Sequence, residues 1–256
     1  LDCAVCHEPH TMMRGTGATP PSTTGPRRTA FGRLGRINGV NSSGTPVAVA
    51  SAEHEVCFKC HGDGNPVAPT LPRRQPQTNM RLQFSPSAIT LHPVGTPGHS
   101  TEVPSLKPGW STASTMQCSD CHASDSGLTS GEHGSSLVGL LVSRYTTTDN
   151  SAESASAYAL CYRCHDRANI LSDQSFKEHR KHIVEERTPC SVCHDSHGIG
   201  SNSGSLTGNS HLVNFRTDVV FPERSSGRLE YRDTGVYRGE CYLSCHGENH
   251  SPERYP

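Results

Sequence analysis

Six short motifs contain every cysteine of the chain, and a histidine directly follows each of them. Five have the spacing Cys-x-x-Cys-His, and the sixth has one more residue between its cysteines. We number them motifs 1 to 6: Cys3/Cys6/His7, Cys57/Cys60/His61, Cys118/Cys121/His122, Cys161/Cys164/His165, Cys190/Cys193/His194 and Cys241/Cys245/His246. This spacing is that of covalent c-type haem attachment, in which two thioethers anchor one porphyrin edge and the histidine ligates the iron. We therefore predict six haem c groups.

Zinc sites and disulfide bonds are the alternative uses of paired cysteines. A zinc ribbon also contains Cys-x-x-Cys pairs, but it does not require a histidine directly after each second cysteine. A disulfide framework does not predict that histidine either. Because all 12 cysteines fall in these motifs, haem attachment is the interpretation that we adopt.

Ten histidines lie outside the motifs and can supply the second axial ligand of each iron. His10 and His197 each follow a motif histidine by three residues. A side chain this close lies on the same side of that haem, so it should ligate the partner haem of its pair. A repeat of histidine, motif, histidine, motif extends this assignment. It gives the following ligands: His10 for motif 2, His92 for motif 3, His133 for motif 4, His182 for motif 5 and His197 for motif 6.

Motif 1 has no histidine upstream of it in this sequence. Its sixth ligand could be a methionine, water, a residue of another chain or a surplus histidine. The methionines are Met12, Met13, Met80 and Met116, and the histidine candidates are His54, His179, His211 and His250. We include His250 in the ligand set because it lies near the C-terminus, where it could reach a neighbour. His54, between two glutamates, has an alternative interpretation as a solvated surface residue, and His99 has a weaker case as a ligand.

The composition is poor in core-forming residues: 32% are apolar, with 24 Gly and 18 Pro. Such a chain buries little apolar surface to offset its ordering entropy. We therefore predict a mostly irregular fold with short α-helices around a stacked chain of six covalent haems, and little β-structure. Helices are expected at residues 157–165 and 172–187, and a modest strand at 217–221. The repeat predicts three modules of two haems each, at residues 1–80, 81–170 and 171–256.

The chain has a net charge of −1 and contains no run of basic residues, so the sequence predicts no nucleic-acid partner. The longest apolar stretch, residues 137–142, is too short to span a membrane. Since c-type haem is attached after export, we expect an extracellular or periplasmic protein whose signal peptide has been removed.

With these motifs in place, the chain resembles multihaem cytochromes with doubled Cys-x-x-Cys-His motifs, which are common in metal-reducing bacteria. The similarity lies in motif 3 through Gly134 to motif 4, and in His179-Arg-Lys-His182 followed by motif 5, His197 and Gly198. The resemblance implies low-potential, bis-histidine haems and electron transfer outside the cytoplasm. Some members of this group polymerise into filaments in which a histidine of one subunit ligates a haem of the next.

Electron transfer without enzymatic turnover is the predicted function. In the first hypothesis, the chain is a subunit of an extracellular filament and binds further copies of itself head to tail. Its other partners would be redox proteins or extracellular electron acceptors. The alternative is a monomeric periplasmic shuttle. A reductase with one open haem and a docking subunit of a membrane complex are the other two hypotheses; a reductase requires an open iron position.

Overall fold

The structure is a computed structural model that describes residues 5–7, 37–64, 69–126 and 133–255. Cys3, His10, Met12 and Met13 lie outside the described residues. The helix and strand labels used below follow chain order.

The helices of the described ranges are short. They are α1 (Glu53–His61), α2 (Met80–Gln83), α3 (Arg167–Leu171) and α4 (Cys190–Cys193). Three 3-10 turns lie at Cys118–Asp120, Cys161–Arg163 and Ser210–Leu212, and one π-helical turn at Lys181–Glu185. The cysteines of motifs 2 to 5 lie in or directly after α1, α4 and the first two 3-10 turns, so helical geometry sets the spacing of these motifs.

Seven strands form three antiparallel sheets in the described part of the chain. Strands β1 (Gly39–Val40) and β2 (Pro46–Val47) form one pair, and β3 (Thr90–Leu91) and β4 (Gly198–Ile199) form another. The largest sheet is a meander of β5 (Glu230–Gly235), β6 (Arg238–Cys245) and β7 (Glu248–Tyr255), with β6 in the centre.

The predicted fold class is wrong in its β-content. The C-terminal meander is the largest regular element, and it includes motif 6 itself, since Cys241 and Cys245 lie on β6. Its turn between β6 and β7 consists of His246 (φ 46°) and Gly247 (φ 90°). Positive φ at both residues is the geometry of a tight hairpin turn. The sequence-based prediction favoured short helices around the haems and so missed this strand.

A core of side chains contradicts the expected haem-only core. Four clusters of buried apolar residues lie within the described ranges. The largest packs Val192 of α4 and Phe215 against Tyr231 of β5 and Leu243 of β6. This cluster fixes motif 5 against the meander.

The predicted helix at residues 172–187 is interrupted. Asp173 has a φ of 58° and Arg187 a φ of 53°, conformations that no helix interior accepts. Between them His179 and Arg180 are α-helical and Lys181–Glu185 form a π-helical turn, so the helix covers less than half of the predicted range. The predicted helix at residues 157–165 is likewise replaced by turns and one 3-10 turn. The predicted strand at residues 217–221 is a turn, in which Phe221 forms an isolated bridge to Ser244.

Candidate haem-binding sites

Motifs 2 to 5 bring their two cysteines together on one side of a helical turn. Side chains three apart in a helix lie roughly 5–6 Å from each other at Cβ. In motif 3 the amide of His122 donates to the carbonyl of Cys118 at 2.8 Å, and the His194 amide donates to Cys190 at 2.9 Å in motif 5. The turn therefore continues into the histidine, which lies four residues from the first cysteine and on the same face. This arrangement fits two thioethers and one iron ligand on a single porphyrin.

Local sequence explains why these turns form. The Glu55 carboxylate accepts from the amides of Ser51 and Ala52 at the start of α1, at 2.5 and 3.2 Å. The Asp120 carboxylate accepts from the Gln117 amide at 2.8 Å before motif 3. Side-chain acceptors at a helix start satisfy amides that lack partners within the helix.

The attachment cysteines do not share one interior environment, as a core made of stacked haems would require. In motifs 3, 5 and 6, cysteines pack against apolar clusters; these are Cys118, Cys190, Cys193, Cys241 and Cys245. Cys6 of motif 1 is exposed, and Cys60 of motif 2 is half-buried beside the exposed His61. Neither Cys6 nor Cys60 packs against any of the four apolar clusters in the described ranges.

Cys6 is exposed, whereas Cys60 has the same intermediate exposure as the other described cysteines. Phe58, between the two cysteines of motif 2, is buried in one of the apolar clusters. Exposure does not conflict with the chemistry, because thioether formation needs an accessible sulfur atom. Haem attachment at Cys6 and Cys60, and at their motif partners Cys3 and Cys57, stays a prediction from the motif spacing.

Motif 6 has a different geometry because it lies on β6. Over four residues an extended strand advances about 13 Å, roughly twice the cysteine spacing of the helical motifs. Cys241 and Cys245 lie on one face of the strand and pack against the Leu243 cluster. Side chains alternate along a strand, so the residue after Cys245 starts on the opposite face. The attachment geometry of motifs 2 to 5 therefore does not fit motif 6.

Four pairs of histidine rings face each other. The ring centroids are 5.5 Å apart for His7/His133, 6.0 Å for His122/His197, 6.4 Å for His179/His194 and 6.4 Å for His182/His250. If two imidazoles bind one metal ion from opposite sides at about 2.0–2.1 Å, their centroids stand roughly 6 to 6.5 Å apart. The spacing of the last three pairs thus fits two imidazoles that would hold one haem iron, whereas the His7 and His133 rings lie closer together and are stacked. Three pairs contain a motif histidine.

Hydrogen bonds at Nδ1 orient several of these rings. The Nδ1 atoms of His122, His194 and His182 donate to the carbonyls of Gly139, His211 and Glu178, at 2.7, 2.9 and 2.8 Å. A carbonyl only accepts, so Nδ1 carries the proton and Nε2 of the neutral ring keeps a lone pair for a metal. His92 is anchored in the same way to the Ser196 carbonyl at 2.5 Å.

Burial lowers the pKa of several histidines. It lowers the pKa of His165, His194 and His197 to about 4, and that of His179 to about 3. A metal binds the neutral imidazole, so no proton has to be displaced at neutral pH. Burial also raises the pKa of the Cys121 and Cys193 thiols to about 12, so both are protonated at neutral pH.

The observed histidine neighbours differ from the sequence-based pairing. His133, assigned to motif 4, lies beside His7 of motif 1, and His197, assigned to motif 6, lies beside His122 of motif 3. His179 rather than His182 faces His194. The His7/His133 and His122/His197 pairs cross the predicted module boundaries. A repeat in the sequence reports order along the chain, whereas the fold brings distant segments together.

His92 and His165 are neighbours as well. His92 is one of the groups whose charge lowers the pKa of His165, after burial itself. The Nδ1 atom of His165 lies 2.9 Å from the Ser105 hydroxyl, and His92 is held by Ser196. His92, assigned from sequence to motif 3, therefore lies near motif 4.

The surplus histidines have distinct environments. His54 is buried rather than solvated, with Nε2 3.4 Å from the Ser42 hydroxyl and its ring against Phe58. His99 is exposed, with Nδ1 3.3 Å from the Ile89 carbonyl. His211 is exposed and lies 3.7 Å from the Asp233 carboxylate. His61 is exposed, and its predicted partner His10 lies outside the described residues.

Several motifs contact the next one in chain order. Lys59, between the cysteines of motif 2, donates to the Val5 carbonyl of motif 1 at 2.8 Å. Glu53 of α1 accepts from the amide and hydroxyl of Ser119 in motif 3, both at 2.7 Å. Tyr162 of motif 4 and Cys190 of motif 5 share one apolar cluster, and Cys193 of motif 5 packs in the same cluster as Cys245 of motif 6.

A match to a known family agrees with this arrangement. The family model described as "Outer membrane cytochrome MtrC/MtrF-like, domains II/IV" matches residues 41–203, which is more than half of the chain and includes motifs 2 to 5. The chain belongs to this cytochrome family. It is a multihaem c-type cytochrome, and the predicted class of protein and type of cofactor are confirmed.

Further comparisons leave the family match as the basis of this assignment. The comparison with curated proteins found no match to this chain, and the comparison with solved structures found none either. The family supports extracellular electron transfer, as predicted in its general form. Among the described residues, no helix has the length and apolar character needed to cross a membrane. The same residues contain no group of three or more His, Cys, Asp or Glu side chains placed to hold a metal ion, as a zinc site would require.

Proposed function

We propose that this cytochrome carries electrons through a closely spaced series of bis-histidine haems. The neighbouring histidine pairs are the observation that carries the proposal, because two imidazoles about 6 Å apart could hold one iron between them. When bound, haem c supplies reversible one-electron chemistry. The chain supplies the axial imidazoles, fixes their tautomers and sets the distance between neighbouring sites.

The contacts between consecutive motifs support a series in chain order. Lys59 links motifs 1 and 2, and the Glu53–Ser119 bonds link motifs 2 and 3. The Cys161 and Cys190 thiols of motifs 4 and 5 are within hydrogen-bonding contact of each other. Short separations favour fast electron exchange, so adjacent attachment edges are what a conducting series needs.

A second histidine beside the motif histidine favours electron transfer over substrate reduction. Catalysis at a metal centre needs an open coordination position. At motifs 1, 3 and 5 the second imidazole already faces the motif histidine. Six haems in total remain a prediction, since motif 6 departs from the geometry of the other described motifs.

The His7/His133 pair favours the monomeric shuttle over the filament. The case for a partner subunit depended on motif 1 lacking a ligand, and the His133 ring of the same chain lies 5.5 Å from the His7 ring. His250, the residue expected to reach a neighbour, instead faces His182 from β7. The head-to-tail homopolymer remains the second candidate because His61 is exposed. An exposed axial histidine places its haem near the surface, where another copy or an extracellular acceptor could approach.

Electron paramagnetic resonance of the oxidised holoprotein tests the bis-histidine proposal. We expect only low-spin ferric signals, and little carbon monoxide binding after reduction. A high-spin signal from the haem of motif 1, 3 or 5 would contradict the paired geometry. Negative-stain electron microscopy separates the assembly states: discrete particles are expected, and uniform filaments would favour the homopolymer.

A further inference from the structure

A buried arginine contacts motif 5 on both sides of its histidine. The Arg73 side chain is only 6% exposed. Its Nη1 atom donates at 2.7 Å to the carbonyl of Ser191, which lies between the two motif cysteines. Its Nε atom lies 3.6 Å from a carboxylate oxygen of Asp195, the residue directly after His194. A positive charge from a segment 118 residues earlier in the chain is therefore held against the haem-binding turn.

The carboxylate of Asp195 is the other half of a buried ion pair. One of its oxygens accepts from Nδ2 of Asn214 and the other from the His197 amide, both at 3.1 Å. The ring of His197 faces His122 of motif 3. Buried charges persist when they are paired and hydrogen-bonded, and both conditions are met here. The ion pair thus lies next to the histidines of motif 5 and beside the second histidine at motif 3.

Hydrogen bonds hold the segment that carries Arg73 in place. The Asn214 side chain accepts from the Gln75 amide at 2.9 Å and donates to the Gln75 carbonyl at 3.0 Å. The Arg74 amide donates to the Phe215 carbonyl at 2.8 Å, and Nη1 of Arg73 also donates to the Asn214 carbonyl at 2.8 Å. These bonds fix the position of the guanidinium relative to motif 5.

The charges of this pair act on the histidine rings. Burial is the main cause of the lowered pKa of His194 and His197, and the charge of Arg73 acts in the same direction at both. Asp195 has the opposite effect on the pKa of His197. A positive charge that disfavours a protonated imidazole also disfavours the additional positive charge of a ferric iron at the same place. Such an effect is strong where burial excludes water and ions.

We infer that Arg73 and Asp195 set the reduction potential of the haem at motif 5, which the guanidinium raises and the carboxylate lowers. One electron from a neighbouring haem turns ferric into ferrous iron and lowers the local charge by one, so a nearby positive charge favours the reduced form. The inference rests on the proposed function because it requires a haem at motif 5 that exchanges electrons. Neither side chain is an iron ligand; each acts through its charge.

Spectroscopic redox titration of charge-changing variants of the holoprotein tests the inference. We expect Arg73→Gln to move one haem component to lower potential and Asp195→Asn to move it to higher potential. Each substitution should change the ratio of reduced to oxidised haem at a fixed solution potential roughly tenfold, the size expected for a unit charge at a partly desolvated site, which corresponds to about 59 mV for one electron. The variant that carries both substitutions should titrate close to wild type.

Two further variants separate charge from packing. Arg74→Gln is the matched control, because Arg74 is the neighbouring arginine and is exposed, so its removal should leave every component in place. Arg73→Lys keeps the charge but loses the planar fork that bonds two carbonyls. It should keep the wild-type potential and lower the melting temperature. In a Cys190→Ala/Cys193→Ala background, the shift caused by Arg73→Gln should be absent, which assigns it to motif 5.

Three results would overturn the inference while leaving the proposed function intact. These are unchanged potentials in Arg73→Gln and Asp195→Asn, shifts of both in the same direction, or an equally large shift in Arg74→Gln. If Arg73→Gln does not fold, Asp195→Asn decides alone, and an unchanged or lowered potential would refute the inference. A wild-type protein without low-spin haem would refute the proposed function as well.

Discussion

Motifs 2 to 5 and motif 6 show how the same residue types behave in two kinds of backbone. In the helical turns, the cysteines and the motif histidine share one face, and the histidine amide bonds back to the first cysteine. On β6, the two cysteines share a face but the following histidine lies in the hairpin turn. One sequence signature therefore occurs in two backbone geometries, a helical turn and an extended strand.

The two regions also differ in how they are held. The helical motifs are joined by hydrogen bonds such as those of Glu53 with Ser119, and several pack in apolar clusters. The strand motif packs in the largest cluster, with Leu243 against Phe215 and Tyr231, and is also part of a three-stranded sheet. The C-terminal region should therefore keep more of its structure than the others when haem is lost.

Removing attachment cysteines should give the largest effect and compares the two regions directly. Cys190→Ala/Cys193→Ala should lose one haem and interrupt the series between motifs 4 and 6. Cys241→Ala/Cys245→Ala should also lose one haem but leave motifs 1 to 5 intact. Intact-protein mass gives the haem count, and thermal unfolding followed at the Soret band should show the larger loss of stability for the motif 5 variant. Retention of the full haem count in the motif 6 variant would contradict attachment there.

Removal of His197 distinguishes the pairing in the structure from the pairing by repeat. We expect His197→Ala to make one haem high-spin, and that haem should be the one at motif 3, because the His197 ring faces His122. In a Cys118→Ala/Cys121→Ala background the high-spin signal should disappear, whereas in a Cys241→Ala/Cys245→Ala background it should persist. The reverse dependence would support the assignment of His197 to motif 6.

A smaller effect is expected from the link between α1 and motif 3. Glu53→Gln places an amide group against two donors, so it should lower the free energy of unfolding by about 1–3 kcal/mol. The exposed residue Glu248 provides the control, and Glu248→Gln should change stability little. Denaturant unfolding of both variants gives the comparison. Equal stability of the two would show that this link does not hold motifs 2 and 3 together.

The smallest effect concerns the pH dependence of the meander. Hydrogen bonds from the Ser226 hydroxyl, the Ser225 amide and the Asn249 amide group hold the pKa of Glu223 well below its ordinary value of 4.5. A lowered folded-state pKa stabilises the fold above the unfolded-state value, and this contribution is lost as the pH falls from 4.5 towards the folded-state pKa. Glu223→Gln should thus be less stable than wild type at neutral pH. The difference should shrink as the pH falls below the unfolded-state pKa of Glu223. A difference in melting temperature that does not depend on pH would contradict this role.

The sequence predicted the chemistry better than the architecture. The spacing of the cysteines and histidines identified the cofactor and the class of protein because attachment chemistry acts over a few consecutive residues. The pairing of His7 with His133 depends on residues far apart in the chain, and no local pattern encodes it. The meander was missed because Cys241 and Cys245 fit both an attachment motif and an alternating strand.

The most direct test of the account is a spectroscopic redox titration of the holoprotein with a haem count per chain. The account predicts a haem at each of motifs 1 to 5, all low-spin in the oxidised protein, that titrate at low potential and exchange electrons with each other. An empty site among these motifs, or high-spin iron at motif 1, 3 or 5, would contradict the claim that facing histidine pairs form a bis-histidine electron-transfer series.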